Sequence, residues 1–135
     1  MEKPYRRQVH IRFVDTDASG RIHYTAMFRH FEAVEQDWMN DLEIPSTGAD
    51  FRGIGFPRVH VECDFLSELQ FDDLVDITLT VDRVGTSSYT LAYGVENRGK
   101  PAAKGRITIV CLDKLTQRAT AIPDRLARSL RELIG

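Results

Sequence analysis

The sequence predicts an α+β fold in which a five-stranded antiparallel sheet wraps around one long helix. Two observations support this prediction. Five segments alternate apolar and polar residues, which is typical of strands with one buried face. Between the first and second of these segments, the apolar spacing changes to three and four residues, which is typical of a helix. We therefore expect one helix after the first strand and four strands after that helix.

Each predicted strand carries β-branched, aromatic or other apolar residues at every second position. These positions are Val9, Ile11 and Phe13; Val59, Val61, Cys63 and Phe65; Val75, Ile77, Leu79 and Val81; Tyr89, Leu91, Tyr93 and Val95; and Ile107, Ile109 and Cys111. Polar residues fill many of the alternate positions, so we expect only one face of the sheet to be apolar. Any exposed edge strand is expected to pair with another copy of the chain.

The predicted helix covers residues 24–42. Its apolar stripe comprises Met27, Phe31, Val34, Trp38 and Leu42. Its opposite face comprises Arg29, Glu32, Glu35, Gln36 and Asp37. We expect the stripe to cover the apolar face of the sheet. The helix should end before Pro45, because a proline disfavours helical backbone at the residue before it.

Turn-forming residues separate the later strands. The segments 85–88 (GTSS) and 97–101 (NRGKP) predict two turns, the second at the tip of a hairpin. Pro123 then opens a short C-terminal helix, with the proline in its first turn. The apolar residues of this helix are Leu126, Leu130 and Leu133.

The order of elements is strand, long helix, four strands and short helix, which is the hotdog arrangement. A ferredoxin-like βαββαβ fold is the competing prediction. It would need a second long helix after the third strand, and residues 85–95 (GTSSYTLAYGV) have no helical pattern. We therefore expect the hotdog fold.

Length and composition restrict the possible functions. The chain has 135 residues, so we expect one domain, residues 1–135. Its 18 basic and 20 acidic side chains give a net charge of −2, which favours neither nucleic acid nor an anionic membrane as a partner. We expect a cytoplasmic protein, because no apolar run is long enough to span a membrane and residues 1–10 (MEKPYRRQVH) lack the apolar core of a signal peptide.

The two cysteines, Cys63 and Cys111, lie at apolar strand positions. We expect them to be reduced core thiols rather than a disulfide or a catalytic nucleophile. The sequence has no CxxC or HxxxH spacing, so we expect no metal ligands and no cofactor.

Residues 13–24 (FVDTDASGRIHY) connect the first strand to the helix and carry two acids, Asp15 and Asp17. Gly20 permits a tight turn. Such a loop ends at a helix N-terminus, where unpaired backbone N–H groups and the positive end of the helix dipole meet. A thioester carbonyl bound there would be polarised, and a nearby carboxylate would attack it or deprotonate a water.

An aspartate before a helix is also a common N-cap, so spacing alone leaves a purely structural role open. Asp15 is nearer the strand and is the better candidate for binding local backbone N–H groups.

This segment resembles the signature of the 4-hydroxybenzoyl-CoA thioesterase family, which is close to F-x-D-T/C-D-x-x-G followed by Tyr or His. The matching positions are Phe13, Asp15, Thr16, Asp17 and Gly20. Two weaker matches follow in the same order, at residues 71–74 (FDDL) and 85–89 (GTSSY). The resemblance extends from about residue 6 to about residue 125.

The resemblance implies that Asp17 is the nucleophile or general base, and that a backbone N–H near Tyr24 polarises the carbonyl. It implies substrate-binding roles for His23, Tyr24 and Ser88, the last in a turn that contacts the CoA portion. The Tol–Pal-associated branch of the family has an aromatic residue followed by His, and the reversed order here leaves the role of His23 open. The resemblance also implies an acyl-CoA or acyl carrier protein substrate and a homodimer that pairs into a homotetramer.

Two other functions suit the same fold. Hotdog dehydratases and hydratases use a His with an acid on the long helix, whereas His30 and Glu32 are two residues apart and so lie on different faces. A non-catalytic binding module would have no need for an acid at the helix start. The rate of an Asp17→Asn variant separates that module from an enzyme.

The sequence gives less information about the acyl group of the substrate than about the reaction. Phe28, Phe51 and Phe56 either line an acyl pocket or belong to the core. The glycine-rich loop 43–57 is expected to be mobile and to shape substrate entry. The family resemblance favours a short or aromatic acyl chain.

Overall fold

A five-stranded antiparallel sheet packs against one long helix in the computed structural model, which describes residues 3–44 and 51–135. The elements are β1 (Tyr5–His10), α1 (Ala26–Asp41), β2 (Ile54–Gly55), β3 (Arg58–Phe65), β4 (Leu74–Val84), β5 (Ser88–Asn97), β6 (Lys100–Val110), β7 (Leu112–Asp113) and α2 (Asp124–Glu132). The large sheet has the order β1-β4-β5-β6-β3, and the short strands β2 and β7 pair separately. The predicted hotdog architecture is confirmed.

The core lies between α1 and the inner face of the sheet. Met27, Phe31, Val34 and Trp38 of the predicted stripe are all buried, whereas Leu42 lies just beyond the helix and is half-buried. The ring of Phe31 stacks on Tyr93 with centroids 4.3 Å apart. Close approach of the helix requires Gly105 in β6, because a Cβ at that position would lie 2.5 Å from a ring carbon of Phe31.

Helix α2 closes one end of the core. Its predicted apolar residues Leu126, Leu130 and Leu133 are buried. Pro123 is the N-cap residue with extended backbone, one position before the helix rather than inside its first turn. The predicted hairpin tip between β5 and β6 is confirmed, and it turns on Arg98 and Gly99, which both have positive φ angles, as a two-residue hairpin turn requires.

The predicted first strand is too long. β1 ends at His10, Ile11 is buried just beyond it, and Phe13 belongs to a turn of 3₁₀ helix with its side chain 78% exposed. The chain leaves the sheet here because the backbone groups of Ile11 pair with Asp72 and Asp73 of the turn before β4. The alternation of apolar and polar residues in the sequence therefore extends beyond the residues that pair in the sheet.

The apolar face of β3 is not covered, in contrast to the prediction of a half-buried strand. Among the residues that the structure describes, β3 is an edge strand that pairs only with β6, and Val59, Val61 and Phe65 are 60%, 49% and 43% exposed. Cys63 is only half-buried for the same reason, so the prediction of a core thiol is wrong for Cys63 and right for Cys111.

Glu35 was predicted on the solvent face of the helix, and this is wrong. The side chain of Glu35 is buried, and the guanidinium of Arg58, at the start of β3, lies 3.1 Å from its carboxylate.

Residues 45–50 of the predicted loop 43–57, including Pro45, lie outside the described residues. No helix within residues 3–44 and 51–135 is long and apolar enough to cross a membrane.

Candidate active site

The loop between β1 and α1 folds back on itself as a small hairpin. The N–H of His23 donates to the carbonyl of Asp15 (2.7 Å), and the N–H of Asp17 donates to the carbonyl of Arg21 (2.9 Å). Gly20 turns the chain with a φ of +84°, which favours glycine. The fold-back places Asp17 opposite the residues that lead into the helix.

The segment before β4 fixes this hairpin to the rest of the fold. The N–H of Ile22 donates to the carbonyl of Leu69 (2.8 Å), and the N–H of Asp72 donates to the carbonyl of Ile11 (2.7 Å). Asp72 has a φ of 71°, a left-handed conformation that Gly, Asn and Asp tolerate best. The second matching motif (71–74) therefore serves as a turn that supports the first motif.

The carboxylate of Asp17 is exposed and has one local partner. Its Oδ1 accepts hydrogen bonds from the hydroxyl (2.5 Å) and the N–H (2.8 Å) of Ser19. These bonds hold the pKa of Asp17 below its usual value, and the positive charges of His23 and Arg21 act in the same direction. Asp17 is therefore ionised at neutral pH and available to a substrate.

The carboxylate of Asp15 has the opposite environment. It is buried, its Oδ2 accepts the N–H of Arg12 (2.8 Å) and a hydrogen bond from Nε2 of His30 (2.9 Å), and Arg29 lies 3.6 Å from Oδ1. Burial opposes ionisation, but the bonds from Arg12 and His30 and the charges of His30 and Arg29 outweigh it and lower the pKa of Asp15. The predicted bond from Asp15 to local backbone is confirmed.

The sequence interpretation missed His30, which is only 16% exposed and joins helix α1 to the loop. It was considered there only as a partner for Glu32. The available signal was a histidine next to the apolar stripe, but its actual partner lies fifteen residues earlier in the chain.

The start of α1 combines His23, Tyr24 and an open backbone donor. Nδ1 of His23 accepts the N–H of Thr25 (3.2 Å), and its ring stacks on Tyr24 with centroids 4.7 Å apart. The N–H of Ala26 donates to the carbonyl of His23 (2.9 Å). The N–H of Tyr24, by contrast, donates to no residue that the structure describes, so it is free to bind an oxygen of a ligand.

Ser88 is not brought to this loop within one protomer. It begins β5 next to the end of β4, and its hydroxyl lies 3.4 Å from the guanidinium of Arg83. The loop lies at the opposite end of the sheet, where His10 pairs with Leu74. The length of β4 separates the two ends by about 30 Å. The structure therefore brings together Asp17, His23 and Tyr24, and not Ser88.

The three phenylalanines considered for an acyl pocket have different positions. Phe51 is buried in the core, Phe28 is half-buried against the core, and Phe56 lines a cavity beside α1. Across the described ranges, no three His, Cys, Asp or Glu side chains come together as metal ligands would.

Comparison with known proteins identifies the family. A model of the thioesterase-like superfamily matches residues 11–130. This chain belongs to that superfamily. The predicted enzyme class, a thioester hydrolase, agrees with this superfamily and with the names of similar proteins.

Two proteins similar to this chain are named 1,4-dihydroxy-2-naphthoyl-CoA hydrolase. The protein from Synechococcus sp. (strain WH7803) is 32% identical over 134 residues, covering 93% of this chain and 88% of that protein. The protein from Synechococcus sp. (strain RCC307) is 25% identical over 126 residues, covering 90% and 96%.

A solved structure supports the fold. The 1,4-dihydroxy-2-naphthoyl-CoA thioesterase from Synechocystis superposes with a TM-score of 0.88 over 96% of each chain, at 15% identity. At this identity the match bears on the architecture alone, and it agrees with the observed hotdog fold.

Proposed function

We propose that this thioesterase-like protein hydrolyses an acyl-CoA thioester, with Asp17 as its nucleophile or general base. The observation that supports this most is a pairing within one loop. An ionised, exposed carboxylate on Asp17 and an unpaired N–H on Tyr24 both lie where the chain enters α1. Acyl transfer requires these two groups, a nucleophile or base and a donor for the oxyanion.

In the proposed reaction, the thioester carbonyl oxygen accepts the N–H of Tyr24. Asp17 then attacks the carbonyl carbon, or removes a proton from a water that does so. Negative charge moves onto the carbonyl oxygen, and one such donor contributes about 3–4 kcal/mol to stabilising it. Collapse of the intermediate breaks the C–S bond, and the thiolate leaves and takes up a proton. Where Asp17 attacks carbon, water hydrolyses the resulting anhydride and frees the carboxylate.

The acyl group is proposed to be aromatic. The names of the relatives from Synechococcus describe hydrolases of a two-ring aromatic acyl-CoA. The cavity beside α1 has a volume of about 360 Å³, which falls within the range of small-molecule sites.

We expect the enzyme to work as a homodimer formed through β3, with dimers pairing into a homotetramer as the family resemblance implies. The exposed side chains of Val59, Val61 and Phe65 lie on the unpaired edge strand, which is a ready surface for a second copy. Antiparallel pairing of two β3 strands would carry the Ser88 end of one protomer towards the Asp17 loop of its partner. A CoA contact for Ser88 would then cross the dimer interface.

Light scattering at micromolar concentration tests the assembly. We expect a dimer or tetramer for the wild type and a shift towards monomer for Val61→Lys, which places a charge on the β3 edge. A wild-type monomer with full activity would contradict the shared site.

A thioesterase screen tests the function. Wild type, Asp17→Asn and a control, Asp82→Asn, would be assayed with aliphatic and aromatic acyl-CoAs and with acyl carrier protein thioesters. Asp82 is an exposed carboxylate near the opposite end of β4 from the loop. We expect Asp17→Asn to lower kcat by about 100- to 10,000-fold and Asp82→Asn to leave it unchanged. Undiminished kcat in folded Asp17→Asn would refute the assigned role.

A further inference from the structure

The imidazole of His23 is held in one orientation at the start of α1. Its Nδ1 accepts a hydrogen bond from the N–H of Thr25 (3.2 Å) and lies 2.8 Å from the hydroxyl of the same residue. The ring also stacks on the ring of Tyr24, with centroids 4.7 Å apart. Contacts with both residues that follow His23 therefore fix the position of the ring.

Thr25 holds His23 in place of a role that threonine commonly has at this position. The hydroxyl of a threonine at a helix N-cap usually accepts an N–H from the first turn of the helix. Thr25 is the N-cap residue of α1, yet its side chain makes no capping hydrogen bond. The hydroxyl contacts Nδ1 of His23 instead. The start of the helix is thus built to orient this imidazole.

The contact with Thr25 also determines which ring nitrogen carries the proton. A neutral imidazole has a single N–H, either on Nδ1 or on Nε2. A backbone N–H can only donate, so Nδ1 of His23 is the acceptor and the proton lies on Nε2. No residue within the described ranges accepts a hydrogen bond from this Nε2. His23 therefore has an N–H donor that is available to a ligand.

The hairpin of the loop places His23 on the same side as the carboxylate of Asp17. Asp17 pairs with Arg21 across the hairpin, where its N–H donates to the Arg21 carbonyl (2.9 Å). Residues two positions apart on a strand share a face, so His23 is the diagonal neighbour of Asp17, at about 7–8 Å. A carbonyl that Asp17 attacks while it is bound to the N–H of Tyr24 is therefore within reach of His23.

We propose that His23 is a further catalytic residue, whose Nε2–H donates a second hydrogen bond to the thioester carbonyl oxygen, beside the N–H of Tyr24. This inference rests on the proposed acyl-CoA hydrolysis. A neutral imidazole polarises a carbonyl without transferring its proton. The bond strengthens as negative charge develops on the oxygen, so His23 acts on the rate of hydrolysis more than on substrate affinity.

Two variants with benzoyl-CoA as substrate test this role. His23→Ala removes the donor, whereas the amide of His23→Gln can place an N–H near the position of Nε2. We expect His23→Ala to lower kcat by about 100-fold or more with KM nearly unchanged, and His23→Gln to retain most of the wild-type kcat. The control is His10→Ala, which removes a half-buried histidine at the end of β1 and should retain the wild-type kcat. Undiminished kcat in folded His23→Ala would overturn the inference.

Proton transfer from His23 to the leaving thiolate is the competing role, and a change of leaving group distinguishes the two. S-(4-nitrophenyl) thiobenzoate releases a more acidic thiol than benzoyl-CoA does and needs no proton donor. A hydrogen bond to the carbonyl oxygen is equally important for both substrates. We expect His23→Ala to slow thiol release in a single turnover by a similar factor for both. A loss confined to benzoyl-CoA, or a His23→Gln variant as slow as His23→Ala, would contradict the donor role.

Nitrogen-15 NMR tests the tautomer and the contact without turnover. The ring chemical shifts of His23 distinguish a proton on Nε2 from a proton on Nδ1, and we expect the Nε2–H form in the free protein. The probe is an analogue of benzoyl-CoA in which a methylene group replaces the thioester sulfur, so the carbonyl oxygen remains and hydrolysis is impossible. Binding should move the Nε2–H proton resonance downfield. A proton on Nδ1, or a resonance that saturating analogue does not move, would overturn the inference.

These measurements separate the inference from the proposed function. If wild type hydrolyses no thioester, the proposed function fails, and the titration with the methylene analogue alone decides whether His23 binds a carbonyl oxygen. If Asp17→Asn abolishes hydrolysis while His23→Ala retains its kcat, the proposed function stands and the inference fails.

Discussion

Asp15 and Asp17 are separated by one threonine, yet their surroundings differ in almost every respect. Asp15 points into the fold and is held by the N–H of Arg12, by His30 and by Arg29. Asp17 is exposed to solvent, and its carboxylate accepts hydrogen bonds from Ser19. Both carboxyls have lowered pKa values. For Asp15 the pKa is lowered by groups from the loop and from α1, whereas for Asp17 it is lowered mainly by Ser19 in the same turn.

The difference underlies our proposal that one loop separates structural support from chemistry. In an extended segment, successive residues face opposite sides, so Asp15 and Asp17, two positions apart, would share a side of the chain if the loop did not turn. The 3₁₀ turn at Phe13–Asp15 directs Asp15 towards α1, and the hairpin that follows leaves Asp17 at the surface. Asp15 therefore stabilises the loop, and Asp17 remains available to a substrate.

The largest expected effect on stability comes from Asp15→Asn. The side chain of Asp15 is only 7% exposed, and the substitution removes the carboxylate that accepts a hydrogen bond from His30 and lies beside Arg29. We expect the free energy of unfolding at neutral pH to fall by about 2–3 kcal/mol, as measured by denaturant titration. Destabilisation below about 0.5 kcal/mol would show that Asp15 is not a support.

The same variant predicts a pH dependence. The folded-state pKa of Asp15 is lowered, so its stabilisation is present above the unfolded value of about 3.9 and is lost as the pH falls through the folded pKa. The stability difference between wild type and Asp15→Asn should be full at neutral pH and shrink below about pH 4. A difference that stays constant down to pH 3 would contradict this linkage.

A smaller effect is expected at His30. His30→Leu removes the donor to Asp15 and should destabilise the fold by about 1–2 kcal/mol. His30→Gln is the matched control, because the glutamine amide can place a donor near the position of Nε2. Thermal unfolding of the two variants should rank Gln above Leu. Equal melting temperatures would show that the hydrogen bond contributes nothing.

The smallest effect is expected at Ser19. Ser19→Ala removes the hydroxyl that most lowers the pKa of Asp17 and keeps the N–H donor. In the proposed mechanism the acid limb of the kcat/KM profile reports the ionisation of Asp17, so this limb should move to higher pH in the variant. A limb that does not move would indicate that another group limits activity in acid.

The main features of the fold follow from periodicity, because strand and helix periods show which residues face the core. The stripe from Met27 to Trp38 and the inward residues of β4 and β5 illustrate this. Periodicity does not encode which strand lies at the edge, so the exposure of Val61 could not be predicted. The short strands β2 and β7 carry too few residues to show a period.

The candidate site was partly predictable for a related reason. Asp17, Gly20 and Tyr24 lie in one local segment, and their proximity follows from chain connectivity. The pairs Asp15–His30 and Glu35–Arg58 join residues that lie far apart in sequence, and only the packing of α1 against the loop and the sheet brings them together. The sequence around Glu35 does not distinguish a buried glutamate from an exposed one, because its partner Arg58 lies on β3, far away in sequence.

The central claim is that chemistry resides in Asp17 and support resides in Asp15. It is tested most directly by measuring single-turnover hydrolysis of an aromatic acyl-CoA and unfolding free energy for Asp17→Asn and Asp15→Asn side by side. We predict that Asp17→Asn loses rate by about 100-fold or more and unfolds like wild type, whereas folded Asp15→Asn loses stability and retains most of its rate. The reverse pattern, with rate lost at Asp15 and kept at Asp17, would contradict the account.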